Sequence, residues 1–193
     1  MARVELKSAR TSKTDPGEAA EALCDQLGSA KPKLVTIFAS SDRDQARLNA
    51  AMRERLPKGT RLIGATTSGE IDNEGMHQGS VVAAALEGDL EVGIGLGKGL
   101  TDDAVACGAQ ALARAAEDLG VRPHDLDPKK HVGLVMDDGF RYKKEELLLG
   151  VLDKCPSLTL VGGGAAYADI YAPTRAAPCT RTARSRQTPS WSR

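Results

Sequence analysis

The richest polar cluster at the end of an apolar run is GATTSGE, residues 64–70. Thr66, Thr67 and Ser68 supply three hydroxyls that could hold a carboxylate. Gly64 and Gly69 can free backbone N–H groups for close approach, and Glu70 could receive an ammonium. Ligands in α/β sheets bind outside the carboxyl ends of strands, which is where this cluster falls. The alternative is a Ser/Thr/Gly turn that satisfies its own backbone. Any single residue is better explained by the turn, and the cluster as a whole by a binding site.

Two other strand ends carry candidates. Asp137 and Asp138 follow the apolar run 131–136, where paired acids could bind a metal or an amine, or cap the next turn; the cap is favoured. Gly163 and Gly164 close the run LVGGG, but no GKS or GKT follows and no helix starts there, so this is no phosphate loop. Close backbone packing is as good a reading of these glycines as ligand contact. Gly93, Gly95, Gly97 and Gly99 alternate with Val92, Ile94 and Leu96, leaving one face bare. A bare face means that something packs close, a neighbouring layer more often than a ligand.

His77, His124 and His131 are dispersed, and no Cys/His/carboxylate set has ligand spacing, so no metal and no cofactor is expected. There is no G-x-S-x-G elbow, and nothing marks a Ser or Cys as an activated nucleophile, so no catalytic residue is assigned. Two functions from different classes remain: a sensory module with a ligand among the strand-end loops, or a small α/β hydrolase or transferase using Asp137 and Asp138 with the Ser/Thr cluster. The missing nucleophile–base pair favours the sensor.

The elements that must position these residues announce themselves by their ends. TDPGEAAEALCDQLG has Asp15 as N-cap, Pro16 at the first helical position, Glu18 to complete a capping box and Gly28 to close it. A second helix, capped by Ser41 or Asp42, carries Leu48, Met52 and Leu56 on one face. A third, capped by Thr101 and closed by Gly120, turns Val105, Ala109, Leu112, Ala116 and Leu119 inward. A fourth stops before Pro156. Strands are predicted at 33–39, 61–65, 80–86, 90–96, 131–136 and 158–161, with 80–86 and 90–96 joined as a hairpin through Glu87, Gly88 and Asp89.

A repeat of about 98 residues is visible in the same pattern. KLVTIFASSDRDQARLNAAMRERLPKGTRLIGAT aligns with HVGLVMDDGFRYKKEELLLGVLDKCPSLTLVGGGA, placing Leu48 on Leu147, Met52 on Val151 and Pro57 on Pro156. The expected fold is therefore α/β: a mixed sheet from two pseudo-symmetric βαβ units plus a β-hairpin. The second half is incomplete, because no counterpart of the first half's hairpin and third helix follows Gly164.

Composition sets the outer limits. The chain has 193 residues, 27% of them charged and 3% aromatic, and no net charge. Five arginines and no acid fall in 172–193; the remainder keeps 21 basic against 26 acidic residues, a net of −5. A mildly acidic body carries no nucleic-acid footprint. No apolar run reaches membrane-span length, no signal peptide is recognised, and Cys24, Cys107, Cys155 and Cys179 read as isolated reduced thiols, so a cytoplasmic location is expected. The Pro-, Arg- and Ser-rich segment 170–193 reads as a disordered tail, as after a frame disruption or a chance extension.

The segments LVTIFAS, LIGATTSGEI, GSVVAAALEGDLEVGIGLGKG, VGLVMDDG and LTLVGGGAAYAD, in that order over residues 4–169, resemble the N-terminal domain of the FIST family. The resemblance implies a sensory domain for a small ligand such as an amino acid, in proteins that carry kinase, chemoreceptor or cyclic-di-GMP output domains. It also implies a C-terminal FIST domain, which is missing here, so a nonfunctional fragment is a third possibility.

Overall fold

The computed structural model describes residues 3–28, 31–166 and 179–181. In chain order these form β1 (Val4–Thr11), α1 (Pro16–Leu27), β2 (Leu34–Ser40), α2 (Gln45–Arg55), β3 (Arg61–Thr67), β4 (Glu70–Asp72), β5 (Gly75–His77) and β6 (Val81–Gly88). There follow α3 (Ala104–Asp118), β7 (Val132–Asp138), α4 (Lys144–Lys154), β8 (Thr159–Ala165) and β9 (Cys179–Arg181). The fold is mixed α/β, as expected. Of the segment 170–193 only β9 is described; the tail assigned to the rest lies outside the described residues.

The first half is a five-stranded mixed sheet in the order β1-β6-β2-β3-β9, in which β2 and β3 run parallel and the other neighbours antiparallel. Strands alternate their side chains between faces. One face, with Val35, Ile37, Leu62, Val81 and Ala83, is sealed by Leu23 and Leu27 of α1 and by Leu48 and Met52 of α2. Leu23 and Met52 are fully buried, and truncating such a side chain to Ala costs about 2–5 kcal/mol. The second half is the parallel pair β7·β8 with α3 and α4 packed on it through Leu112, Ala116, Leu147 and Val151.

Both parallel pairs join residues 27 apart, Leu34 with Arg61 and Val132 with Thr159, and the intervening helices are each 11 residues long.

Asp15 accepts hydrogen bonds from the N–H groups of Gly17 and Glu18, and Gly28 closes α1 at φ 52° with its N–H on Cys24 O. The other two predicted caps are displaced. Asp44, not Ser41 or Asp42, caps α2 by accepting from Arg47 N. Asp103, not Thr101, caps α3 by accepting from Ala106 N, because Asp102 and Asp103 first close a turn on Gly99 O. Val105, expected inward, is 43% exposed.

The predicted hairpin 80–96 does not form. β6 already has β1 on one side and β2 on the other, so neither edge can accept the expected strand 90–96. Strand β1, which hydrophobic alternation did not reveal, takes that place. Residues 90–96 instead run along α3 with their bare face on its backbone. A Cβ added at Gly93, Gly95 or Gly97 would stand 2.2, 1.8 and 2.2 Å from the carbonyl oxygens of Ala115, Ala111 and Cys107. The expectation that the bare face meets a packed layer is met, with a helix as that layer. A short hairpin does occur, between β4 and β5.

Candidate functional site

The carboxyl ends of β3 and β8 meet. Ala166 N donates to Thr66 O at 2.9 Å, and Ala65 and Ala165 are buried together with Phe38, Met136 and Phe140 packed against them. This seam brings the first polar cluster into the same region as the ends of β7 and β8, where Asp137 lies opposite Gly164 and Asp138 opposite Ala165.

On the first half, β3 extends further than predicted and includes Thr66 and Thr67. Thr66 is 1% exposed and shares its strand face with Leu62, and its Oγ1 has no hydrogen-bond partner. Thr67 Oγ1 donates to Glu70 Oε1 at 2.5 Å. Glu70 Oε2 accepts from both the N–H and the hydroxyl of Ser80, at 3.0 and 2.8 Å. Glu70 is therefore a buried carboxylate with three hydrogen bonds inside the chain. Ser68 is exposed beside Gly69, and Gly64 lies tight against β2, where a Cβ would stand 2.1 Å from Ile37 O.

On the second half, Asp137 and Asp138 are the last residues of β7 and differ in role. Asp138 caps the turn, with Oδ1 accepting from Phe140 N and Oδ2 from Arg141 Nε, both at 3.2 Å. Asp137 shares its face with Val135, turned toward α3 and α4, and its side chain is 2% exposed. Its Oδ1 accepts no hydrogen bond, although Lys144 Nζ stands 3.4 Å away as a charge contact. Gly164 abuts Gly139, 2.6 Å from where a Cβ would meet that residue's Cα, whereas Gly163 faces open space.

Three residues that bear on this region escaped the sequence: Ser80, Lys144 and Arg43. Ser80 is ten residues from Glu70 and could be found only with the β4–β5 hairpin in hand. Lys144 is read from sequence as one more basic residue in a helix. Arg43 has a side chain 8% exposed and donates to the carbonyls of Lys13, Ser12 and Gly79, tying three loops at this end.

Away from the seam, Asp72, Glu74 and His77 of the β4–β5 hairpin come within 4.8 Å of one another. The sequence spacing did not suggest that set. Its charge is already answered: Arg10 Nε contacts Asp72 at 2.7 Å, Arg10 Nη2 contacts Glu74 at 2.8 Å, and His77 Nε2 lies 3.0 Å from Asp72 Oδ1. Burial works to raise the Asp72 carboxyl, but hydrogen bonds from His77, Glu74 N and Arg10 outweigh it and hold the pKa down at about 2.

A cleft of about 240 Å³ lies at the opposite, amino ends of β2 and β3, lined by Lys33, Gly59, Arg61, Leu90, Asp118 and Leu119 among others. Within it Arg61 Nη2 pairs with Asp118 Oδ2 at 2.7 Å, and Lys33 and Glu91 also line it. Burial raises the thiol pKa of Cys24 and Cys107, which keeps both protonated and poorly nucleophilic. No helix among the described residues is long and apolar enough to cross a membrane.

A comparison with curated proteins returned no match. A family model, the FIST N domain, matches residues 33–174, a span that contains β2 through β8 and every residue of the seam described above. By that match over most of its length, this chain belongs to the FIST family of sensory domains.

Proposed function

We propose that this chain is a non-catalytic sensory domain of signal transduction that binds a small ligand, of the amino-acid class, at the seam between the carboxyl ends of β3 and β8. The observation that carries the reading is a pair of buried polar atoms in that region, Thr66 Oγ1 and Asp137 Oδ1, neither with a hydrogen bond. Buried polar groups are overwhelmingly hydrogen-bonded, and leaving one unpaired costs about 1–3 kcal/mol. A ligand that supplies a donor to Asp137 and a partner to Thr66 recovers that cost on binding. Glu70, with its three internal bonds, acts as a strut that holds the turn 67–80 in place, while Gly163 leaves open backbone at the rim.

The sensing unit is assigned to residues 1–169, acting in the cytoplasm on an output protein or a C-terminal FIST domain. Thermal unfolding of the full chain with a panel of amino acids tests the reading. At least one chemical class should raise the midpoint, and the ligand should be recovered unaltered. A flat response across the panel would overturn it, and turnover would favour a small α/β enzyme.

A further inference from the structure

We propose that Asp137 receives the ammonium group of the ligand and that Lys144 is a tethered stand-in for that ammonium, displaced when ligand enters. This rests on the reading that the seam holds a small ligand, and it separates Asp137 from the other two carboxylates that could have served, since Asp138 is already taken up by Phe140 N and Arg141 Nε. Glu70 is closed by Thr67 and Ser80. Asp137 is equally buried, with a side chain 2% exposed, yet its Oδ1 accepts no hydrogen bond.

A buried carboxylate needs a compensating charge or several donors. Among the described residues that charge comes from outside: Lys144, the first residue of α4, reaches in with a side chain 46% exposed and stops with Nζ 3.4 Å from Oδ1. Such a contact neutralises without locking, because a flexible lysine pays side-chain entropy to stay and keeps water as an alternative partner. Gly164, opposite Asp137 in the ladder, adds no side chain at this point; a Cβ there would be 3.4 Å from the same Nζ. The position of Nζ is therefore one that an ammonium on a small carbon substituent can occupy once Lys144 swings to solvent. A neutral donor could complete the hydrogen bond but would strip Asp137 of its counter-charge, so the exchange selects cations. Exchange also releases the first residue of α4, which gives ligand binding a mechanical consequence.

The test is chemical rescue in the full chain. Lys144→Ala should unfold at a lower temperature than wild type. Methylammonium chloride, compared with sodium chloride at equal ionic strength, should raise its midpoint by about 2–4 °C at several times the dissociation constant. The wild type should respond less, because Lys144 competes, and Asp137→Asn combined with Lys144→Ala should not respond. No rise in Lys144→Ala, or an equal rise in the double variant, overturns the assignment. If Lys144→Ala does not fold, Lys144→Met keeps the apolar stem and takes the same readout. Amino-acid stabilisation that survives in Asp137→Asn would remove this inference and leave the sensory reading standing. Methylammonium rescue with a flat amino-acid panel would do the reverse.

Discussion

Ser80 gives both of its donors, backbone N–H and hydroxyl, to one oxygen of Glu70, at 3.0 and 2.8 Å. The pair ties the start of the β4–β5 hairpin to the residue just before β6, ten positions later. Ser80→Ala removes the hydroxyl and leaves a buried carboxylate short of one partner. Hydrogen bonds to charged groups contribute about 1.5–3 kcal/mol, so a loss of that size is expected in urea unfolding. The amino-acid response should persist if, as proposed, Asp137 and not the internally bonded Glu70 receives the ligand.

Thr66→Val should do the opposite. It replaces a buried hydroxyl that has no partner with a methyl of similar shape, which removes an unsatisfied group. The unliganded protein should gain about 1 kcal/mol in stability while the amino-acid-induced shift falls or disappears. A variant that is less stable and still responsive would show that Thr66 has a structural partner and no part in the site.

Gly95→Ala tests the track beside α3. The new Cβ would stand 1.8 Å from Ala111 O, and backbone cannot retreat as a side-chain tip can. Overpacking of this kind costs about 1–3 kcal/mol or more. Gly163→Ala serves as control, since nothing lies within 4 Å of its Cβ position, and should stay within about 0.5 kcal/mol of wild type.

Asp72 sets an acid limb. Its folded pKa of about 2 lies below the ordinary 3.8, so the unfolded chain binds the proton more readily. The contribution is complete above about pH 4 and is lost as pH falls toward 2. Urea midpoints across that window should drop more steeply for wild type than for Asp72→Asn, which starts lower at pH 7 and changes less. Equal slopes would show that Asp72 is not linked to folding.

Much of the architecture was legible because local rules decide it. Asp15 and Gly28 bracket α1 by capping chemistry that needs no tertiary information, and the two parallel pairs follow from apolar runs spaced by amphipathic helices. What was illegible depended on distant partners. Strand β1 alternates apolar and polar only over Val4–Lys7, too short a run to mark a strand, and in the inverted sense: Val4 and Leu6 are exposed while Glu5 and Lys7 share the face of buried Ala9 and Thr11. Residues 90–96 do alternate, and period two predicts a strand, but it is the signature of any extended chain with one face pressed on a surface, here α3. At the seam, chemistry-bearing residue types were visible in Thr66, Glu70 and Asp137, but which carboxylate is closed and which is open was fixed by Ser80 and Lys144.

The glycine track along α3 has a geometric consequence. Gly97, Gly95 and Gly93 meet Cys107, Ala111 and Ala115. Two residues of extended chain advance about 6.6 Å and four residues of helix about 6.0 Å, so the two repeats are nearly commensurate and drift by only about 0.6 Å per step. A slip by one glycine along the rail would find almost the same fit. Steric matching thus selects the groove without selecting the position within it, as on a vernier read without its zero mark. The zero is polar: Ile94 N donates to Asp118 Oδ2 at 3.0 Å, Asp118 is itself held by Arg61, and Arg114 donates to Leu96 O. Through Arg61, the first residue of β3, that mark is fixed from the other half of the molecule, so the position of the rail is set by a contact outside the groove it lies in.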